Sequence, residues 1–86
     1  MADVTIYTTN LCGYCFRAKA LLEKKGVAFT EIDVSHNIIE RQRMIERAGG
    51  MRTVPQIFVG NTHVGGSDDL YELEHRGKLD SLLEAS

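Results

Sequence analysis

The chain has 86 residues, 43% of them hydrophobic, with ten basic and twelve acidic side chains and a formal net charge of -2. That length supports one core rather than two, so residues 1–86 read as a single domain. The near-balanced charges are interleaved and offer no basic face to nucleic acid or an anionic membrane, no apolar run reaches the ~20 residues of a spanning helix, and the N-terminus lacks a secretory pattern; a cytoplasmic protein acting on small molecules or other proteins is expected.

Val4 to Thr8 are β-branched or aromatic without a breaker and predict a short central strand. Directly after it come the only two cysteines, in Cys12-Gly13-Tyr14-Cys15. From Gly13 to Lys25, Cys15, Ala18, Leu21 and Leu22 recur at helical spacing, and Gly26 supplies a stop. Val27 to Val34 returns to strand-forming residues, giving a βαβ unit with parallel strands and a right-handed crossover. Asn37 with Glu40 has the spacing of a capping box, and Ile38, Ile39, Met44, Ile45 and Ala48 form the apolar stripe of a second helix ending at Gly49-Gly50. After the single proline, Pro55, the runs Gln56 to Val59 and Thr62 to Val64 flank Gly60-Asn61 and predict a β-hairpin. Gly65-Gly66 ends it. Ser67, Asp68 and Asp69 offer N-caps for a last helix through Leu70 and Leu73, with Leu79, Leu82 and Leu83 closing that helix onto the sheet. The order β-α-β-α-β-β-α predicts an α/β protein: one four-stranded mixed sheet with helices on its faces.

The cysteine pair carries the chemistry. Closing so short a loop removes little unfolded-state entropy, which argues against a structural disulfide. A tetrahedral zinc site needs two further ligands, yet there is no third cysteine, and His36, His63 and His75 lie singly at no ligand spacing. Two merely buried thiols would not need this spacing at the start of a helix in a βαβ frame, which is the arrangement of a redox pair. Unsatisfied N–H groups and the positive end of the helix dipole stabilise a thiolate at such a position. Cys12, nearer the helix start, is expected to be the nucleophile of thiol–disulfide exchange, and Cys15, one turn in and more buried, the resolving thiol. Arg17 and Lys19 add positive charge nearby but read equally well as solvated helix-face residues.

Cys12-Gly13-Tyr14-Cys15, Thr53-Val54-Pro55, Gly65-Gly66 and Ser67-Asp68-Asp69, in this order and spacing, make the chain resemble the glutaredoxins over essentially its whole length. The resemblance implies a thioredoxin fold and a glutathione-dependent dithiol oxidoreductase reducing protein–glutathione mixed disulfides and other disulfides, in the service of cell redox homeostasis. It implies a cis Pro55, with Thr53, Val54 and Pro55 forming the loop whose Val54 backbone pairs with the cysteinyl backbone of glutathione. It also implies that Gly66, Ser67 and Asp68 receive the γ-glutamyl end, that Tyr14 lies against the tripeptide, and that Arg41 or Gln42 meets the glycyl carboxylate. Glutathione is then the reductant, glutathionylated or disulfide-containing proteins are the partners of a monomer, and electrons come from NADPH through a separate glutathione reductase, since the chain has no dinucleotide fingerprint.

Two residues depart from the family pattern. Thr9 stands where many members carry a lysine, which implies weaker glutathione affinity and a less stabilised Cys12 thiolate. Gly13 stands where proline is most common. Relatives with a small residue there include some that hold a [2Fe-2S] cluster between two protomers through the first cysteine of each and two glutathiones, so a Cys12-ligated cluster in a dimer is a second capability implied by the resemblance.

Overall fold

In the computed structural model, which describes residues 3–84, β1 (Val4–Thr8) is central, as its composition predicts. It pairs in parallel with β2 (Phe29–Asp33) on one side and antiparallel with β3 (Gln56–Val59) on the other. β4 (Thr62–Gly65) pairs antiparallel with β3, giving the order β2-β1-β3-β4 and the mixed sheet the element order required.

Alternation along β1 divides the apolar residues between two cores. Val4 and Ile6 join Ala18, Leu21 and Leu22 of α1 (Gly13–Lys24) and Leu70 of α3 (Ser67–His75) on one face. Tyr7 and Phe58 join Met44 of α2 (Ile38–Arg47) and neighbouring Ala48 on the other. Arg47 closes this second core: its guanidinium lies 4.1 Å from the Phe58 ring centroid and donates to the Tyr7 hydroxyl at 3.0 Å.

Four expectations need correction. Ile38 and Ile39 are 86% and 67% exposed, not part of the α2 stripe. At 100° per residue they stand roughly 120–140° around the helix from Met44, too far to share its buried face. The second strand is shorter than Val27 to Val34, because the Val27 N–H is taken by the Leu22 carbonyl as the chain leaves α1 through Gly26 at φ 71°. The last helix is two helices. Gly77, at φ 69°, ends α3; its N–H goes to Glu74 O and that of Lys78 to Leu73 O before α4 (Leu79–Glu84) begins. The N-cap of α3 is Gly66 rather than Ser67, Asp68 or Asp69; Asp69 instead reaches back to accept the Gly66 N–H at 2.9 Å.

Candidate active site

The turn from β1 to α1 passes through Leu11, a fully exposed leucine at φ 56°, a left-handed conformation that costs a non-glycine residue about 1–2 kcal/mol. The chain then enters α1 with Cys12 as its N-cap. The cap acceptor is sulfur: the Cys15 N–H donates to Cys12 Sγ at 3.1 Å. Negative charge on that sulfur is met by an N–H already aimed at it and by the positive end of a twelve-residue helix. Cys12 is partly exposed in a cleft with Thr9, Asn10, Gly13 and Phe16, whereas Cys15 is buried, 2% exposed. Both thiols are free.

The two sulfurs differ electrically. Burial, reinforced by the hydrogen bond and charge of Cys12, pushes the Cys15 thiol up to about 12, with the Thr9 backbone and Lys19 opposing. Lys19 is itself engaged, 3.0 Å from Glu31. Hydrogen bonding from the Thr8 hydroxyl, aided by Lys19 against some desolvation, holds the Glu31 carboxyl below its usual range. Arg17 lies over the Tyr71 ring at 5.1 Å. Neither cation is a free charge reserved for the thiolate.

The raised Cys15 value has a consequence for stability. A thiol that ionises near 9.0 in the unfolded chain but near 12 in the fold binds its proton more tightly when native. Between those values the native state holds more protons than the unfolded one, so stability falls as pH rises through the window. Urea unfolding of the reduced protein is expected to show wild type losing about 1 kcal/mol per pH unit more than Cys15→Ala above roughly pH 9, with no such difference below it. Parallel pH profiles would refute the tighter hold of the buried Cys15 thiol on its proton.

Beside Tyr14, which is the second residue of α1 and exposed, lies a cavity of about 290 Å³. Tyr14, Thr53, Val54, Pro55, Gly66, Ser67 and Asp68 all line it, so the structure gathers the expected binding residues from three separate stretches of chain. Met51 and Asp69 join them. Neither was expected; Met51 carries no sequence signal, but Asp69 was legible as the third residue of a helix that a carboxylate could cap. The Val54–Pro55 peptide is cis.

Among the described residues, no hydrogen bond engages the Val54 N–H or C=O. The first intrahelical bond of α3 runs from the Leu70 N–H to Gly66 O at 3.1 Å, which leaves the Ser67, Asp68 and Asp69 N–H groups as helix-end orphans. Ser67 Oγ is buried and has no partner. The Asp69 carboxylate sits where a Cβ on Gly65 would fall, so that glycine, at φ 114°, is required by both space and backbone. Arg41 donates to the Arg52 carbonyl at 3.1 Å, at the edge of this loop; Gln42 is exposed. A larger groove of about 750 Å³ between β4, α3 and α4 contains neither cysteine.

A cluster of the kind the resemblance implies would draw one cysteine from each of two chains, and Cys12 is the thiol with exposed surface while Cys15 is buried; within the chain, among the described residues, no three His, Cys, Asp or Glu side chains converge as metal ligands. Nor does any helix among them have the length and apolarity to cross a membrane.

The glutaredoxin family model matches residues 4–64. Glutaredoxin 3 of Escherichia coli strain K12 is 55% identical over 84 residues, covering 98% of this chain and all of the relative. The solution structure of a glutaredoxin from Brucella melitensis is 60% identical, with a TM-score of 0.85 and coverage of 98% of this chain and 90% of the other. A crystal structure described as a buckwheat glutaredoxin–glutathione complex has the same TM-score at 29% identity, over 95% and 76% of the two chains.

Proposed function

The chain belongs to the glutaredoxin family and is a glutathione-dependent thiol–disulfide oxidoreductase; from that premise we propose that Cys12-Gly13-Tyr14-Cys15 is its redox centre and that the neighbouring cavity holds glutathione. The single observation that carries the residue assignment is the convergence of seven residues from three segments, Tyr14, Thr53, Val54, Pro55, Gly66, Ser67 and Asp68, on that cavity.

Cys12 Sγ, as thiolate, attacks the glutathionyl sulfur of a protein–glutathione mixed disulfide. The S–S bond breaks, the protein thiolate leaves and takes up a proton, and Cys12 carries the glutathionyl group. The thiolate of a second glutathione attacks that group, releasing glutathione disulfide and restoring Cys12. When Cys12 is instead bound to a protein thiol, Cys15 gives up its proton, attacks Cys12 Sγ and expels the protein thiolate. The resulting Cys12–Cys15 disulfide is reduced by two glutathiones.

The orphan N–H groups at the start of α3 suit the γ-glutamyl carboxylate, with the Asp68 carboxylate facing its ammonium. The unpartnered Val54 N–H and C=O suit the cysteinyl backbone, and Tyr14 the body of the tripeptide. What supports Arg41 over Gln42 for the glycyl carboxylate is its hydrogen bond to the Arg52 carbonyl beside the loop. Residues 1–86 act as one domain and as a monomer on glutathionylated and disulfide-containing proteins, and a separate NADPH-dependent reductase recycles the glutathione disulfide.

Titration of ¹⁵N-labelled Cys12→Ser protein with reduced glutathione tests the cavity. Amide shifts are expected to concentrate at Tyr14, Val54, Ser67 and Asp68, and Asp68→Asn is expected to weaken binding about fivefold, the scale of one charge-assisted contact at a partly wet site. Shifts clustered in the larger groove by Leu73 and Leu82, or none at all, would refute the assignment.

A further inference from the structure

Gln56 has no exposed surface, lies in the strand after Pro55, and takes no part in the steps above. Its amide orientation is fixed by its neighbours. Nε2 donates to the Thr53 carbonyl at 3.0 Å and to Thr53 Oγ1 at 3.2 Å. A carbonyl can only accept, so Nε2 must face Thr53 and Oε1 must face the other way. There His63 Nε2 lies 2.7 Å from Oε1. Oε1 is an acceptor only, so His63 Nε2 carries a proton and donates it. The imidazole is braced in turn by stacking on Phe58 at 4.9 Å between ring centroids. A one-way chain of donors thus runs from His63 through Gln56 to the Thr53 carbonyl.

That carbonyl is half of the peptide unit whose other half is the Val54 N–H. The unit is planar, and in a trans peptide the C=O and N–H point in opposite directions, so fixing one fixes the other. A donor on the Thr53 carbonyl also polarises the peptide and makes the Val54 N–H a better donor. We propose that Gln56, braced by His63, is a positioning residue for glutathione: it aims the Val54 N–H at the cysteinyl carbonyl of the bound tripeptide. The proposal rests on the reading of Val54 as a glutathione contact.

Steady-state kinetics with a glutathionylated peptide, together with the Val54 amide resonance, test it. Gln56→Met keeps the length of the side chain but removes the donors. It is expected to raise KM about five- to tenfold, the scale of one misdirected hydrogen bond, with kcat unchanged. The Val54 proton resonance is expected to move upfield and to respond less to glutathione. His63→Leu is expected to raise KM about threefold, and His63→Gln, which places an amide nitrogen where the imidazole Nε2 stood, to restore most of it. General damage to the fold would lower kcat as well and would not be rescued by glutamine at 63; that outcome overturns the proposal. Should Gln56→Met fail to fold, the His63 pair decides alone, and equal KM values for leucine and glutamine overturn it. If glutathione leaves the wild-type Val54 amide unshifted, the reading of the loop as a glutathione contact falls and the proposal falls with it. If wild type responds and Gln56→Met responds equally with unchanged KM, the loop contact stands and only the role of Gln56 is lost.

Discussion

Cys12→Ser is expected to lose all measurable glutathione-coupled disulfide reduction, a drop of more than about a thousandfold, because a serine hydroxyl at neutral pH supplies no anionic nucleophile to attack a disulfide sulfur. Cys15→Ser is expected to keep deglutathionylation within a small factor while losing reduction of protein disulfides that need a second protein thiol. The asymmetry follows from geometry. Cys12 is the partly exposed N-cap sulfur that accepts the Cys15 N–H, so it is the sulfur that an incoming disulfide can reach. Cys15 is buried, held as a thiol by its surroundings, and aimed at nothing outside the protein. It can act only on a sulfur brought to Cys12. A glutathione-coupled assay on wild type and the two variants, with a glutathionylated peptide and a protein disulfide as alternative substrates, separates the roles. Equal loss in both variants on the glutathionylated peptide, or activity without Cys12, would reverse or abolish the assignment.

Much of this site was legible in the residue order, and the places where it was not have physical causes. The cysteine pair's place at a helix start, and the helix itself, could be read because a cap position and a 3.6-residue apolar period both report on a local geometry that the chain makes by itself. The parallel β1–β2 pair and the β3–β4 hairpin could be read for the same reason: turn chemistry and connection length fix them. Ile38 and Ile39 misled because hydrophobicity marks a residue as able to be buried without saying which way a helix is rolled against its sheet. Met44 and Ala48 set that roll, and the two isoleucines face away. The division of the last helix at Gly77 had a sequence signal, a glycine four residues after Leu73, but the leucines at 79, 82 and 83 continue the apolar pattern across it. Gln56 was read only as a strand residue. A buried amide shows its use only when the groups three residues before it and seven after it are seen to meet it, and no periodicity encodes that. At Gly13 φ is not positive and a Cβ built there meets nothing within 4 Å, so neither backbone nor space in this chain demands glycine.

The largest stability effect is expected at Leu70. This side chain has no exposed surface and sits in the core formed by β1, β3 and α1, one turn below the helix end that is proposed to take the γ-glutamyl carboxylate. Its N–H makes the first intrahelical bond of α3, to Gly66 O, so the side chain that anchors the helix and the backbone that shapes its open end belong to one residue. Leu70→Ala removes buried apolar surface and leaves a cavity, at a cost of about 3 kcal/mol. Against the roughly 5–15 kcal/mol total of a small domain that is a large share, and for a chain of this size it corresponds to a fall in Tm of roughly 12–24 °C. Ile38→Ala, at an exposed isoleucine of similar size, is the control and should stay within about 0.5 kcal/mol. Below its lowered Tm the Leu70 variant should also divide the kinetics. Cys12 caps α1 and is held there by the Cys15 N–H on its sulfur and the Phe16 N–H on its carbonyl, neither of which involves α3, so the chemical step should survive while a loosened first turn of α3 raises KM for glutathionylated substrate. Urea and thermal unfolding read the first expectation and steady-state kinetics the second. A Leu70→Ala protein as stable as Ile38→Ala would mean that α3 is held by something other than its buried face, and a fall in kcat at unchanged KM would place the damage at Cys12 instead of at the glutathione cavity.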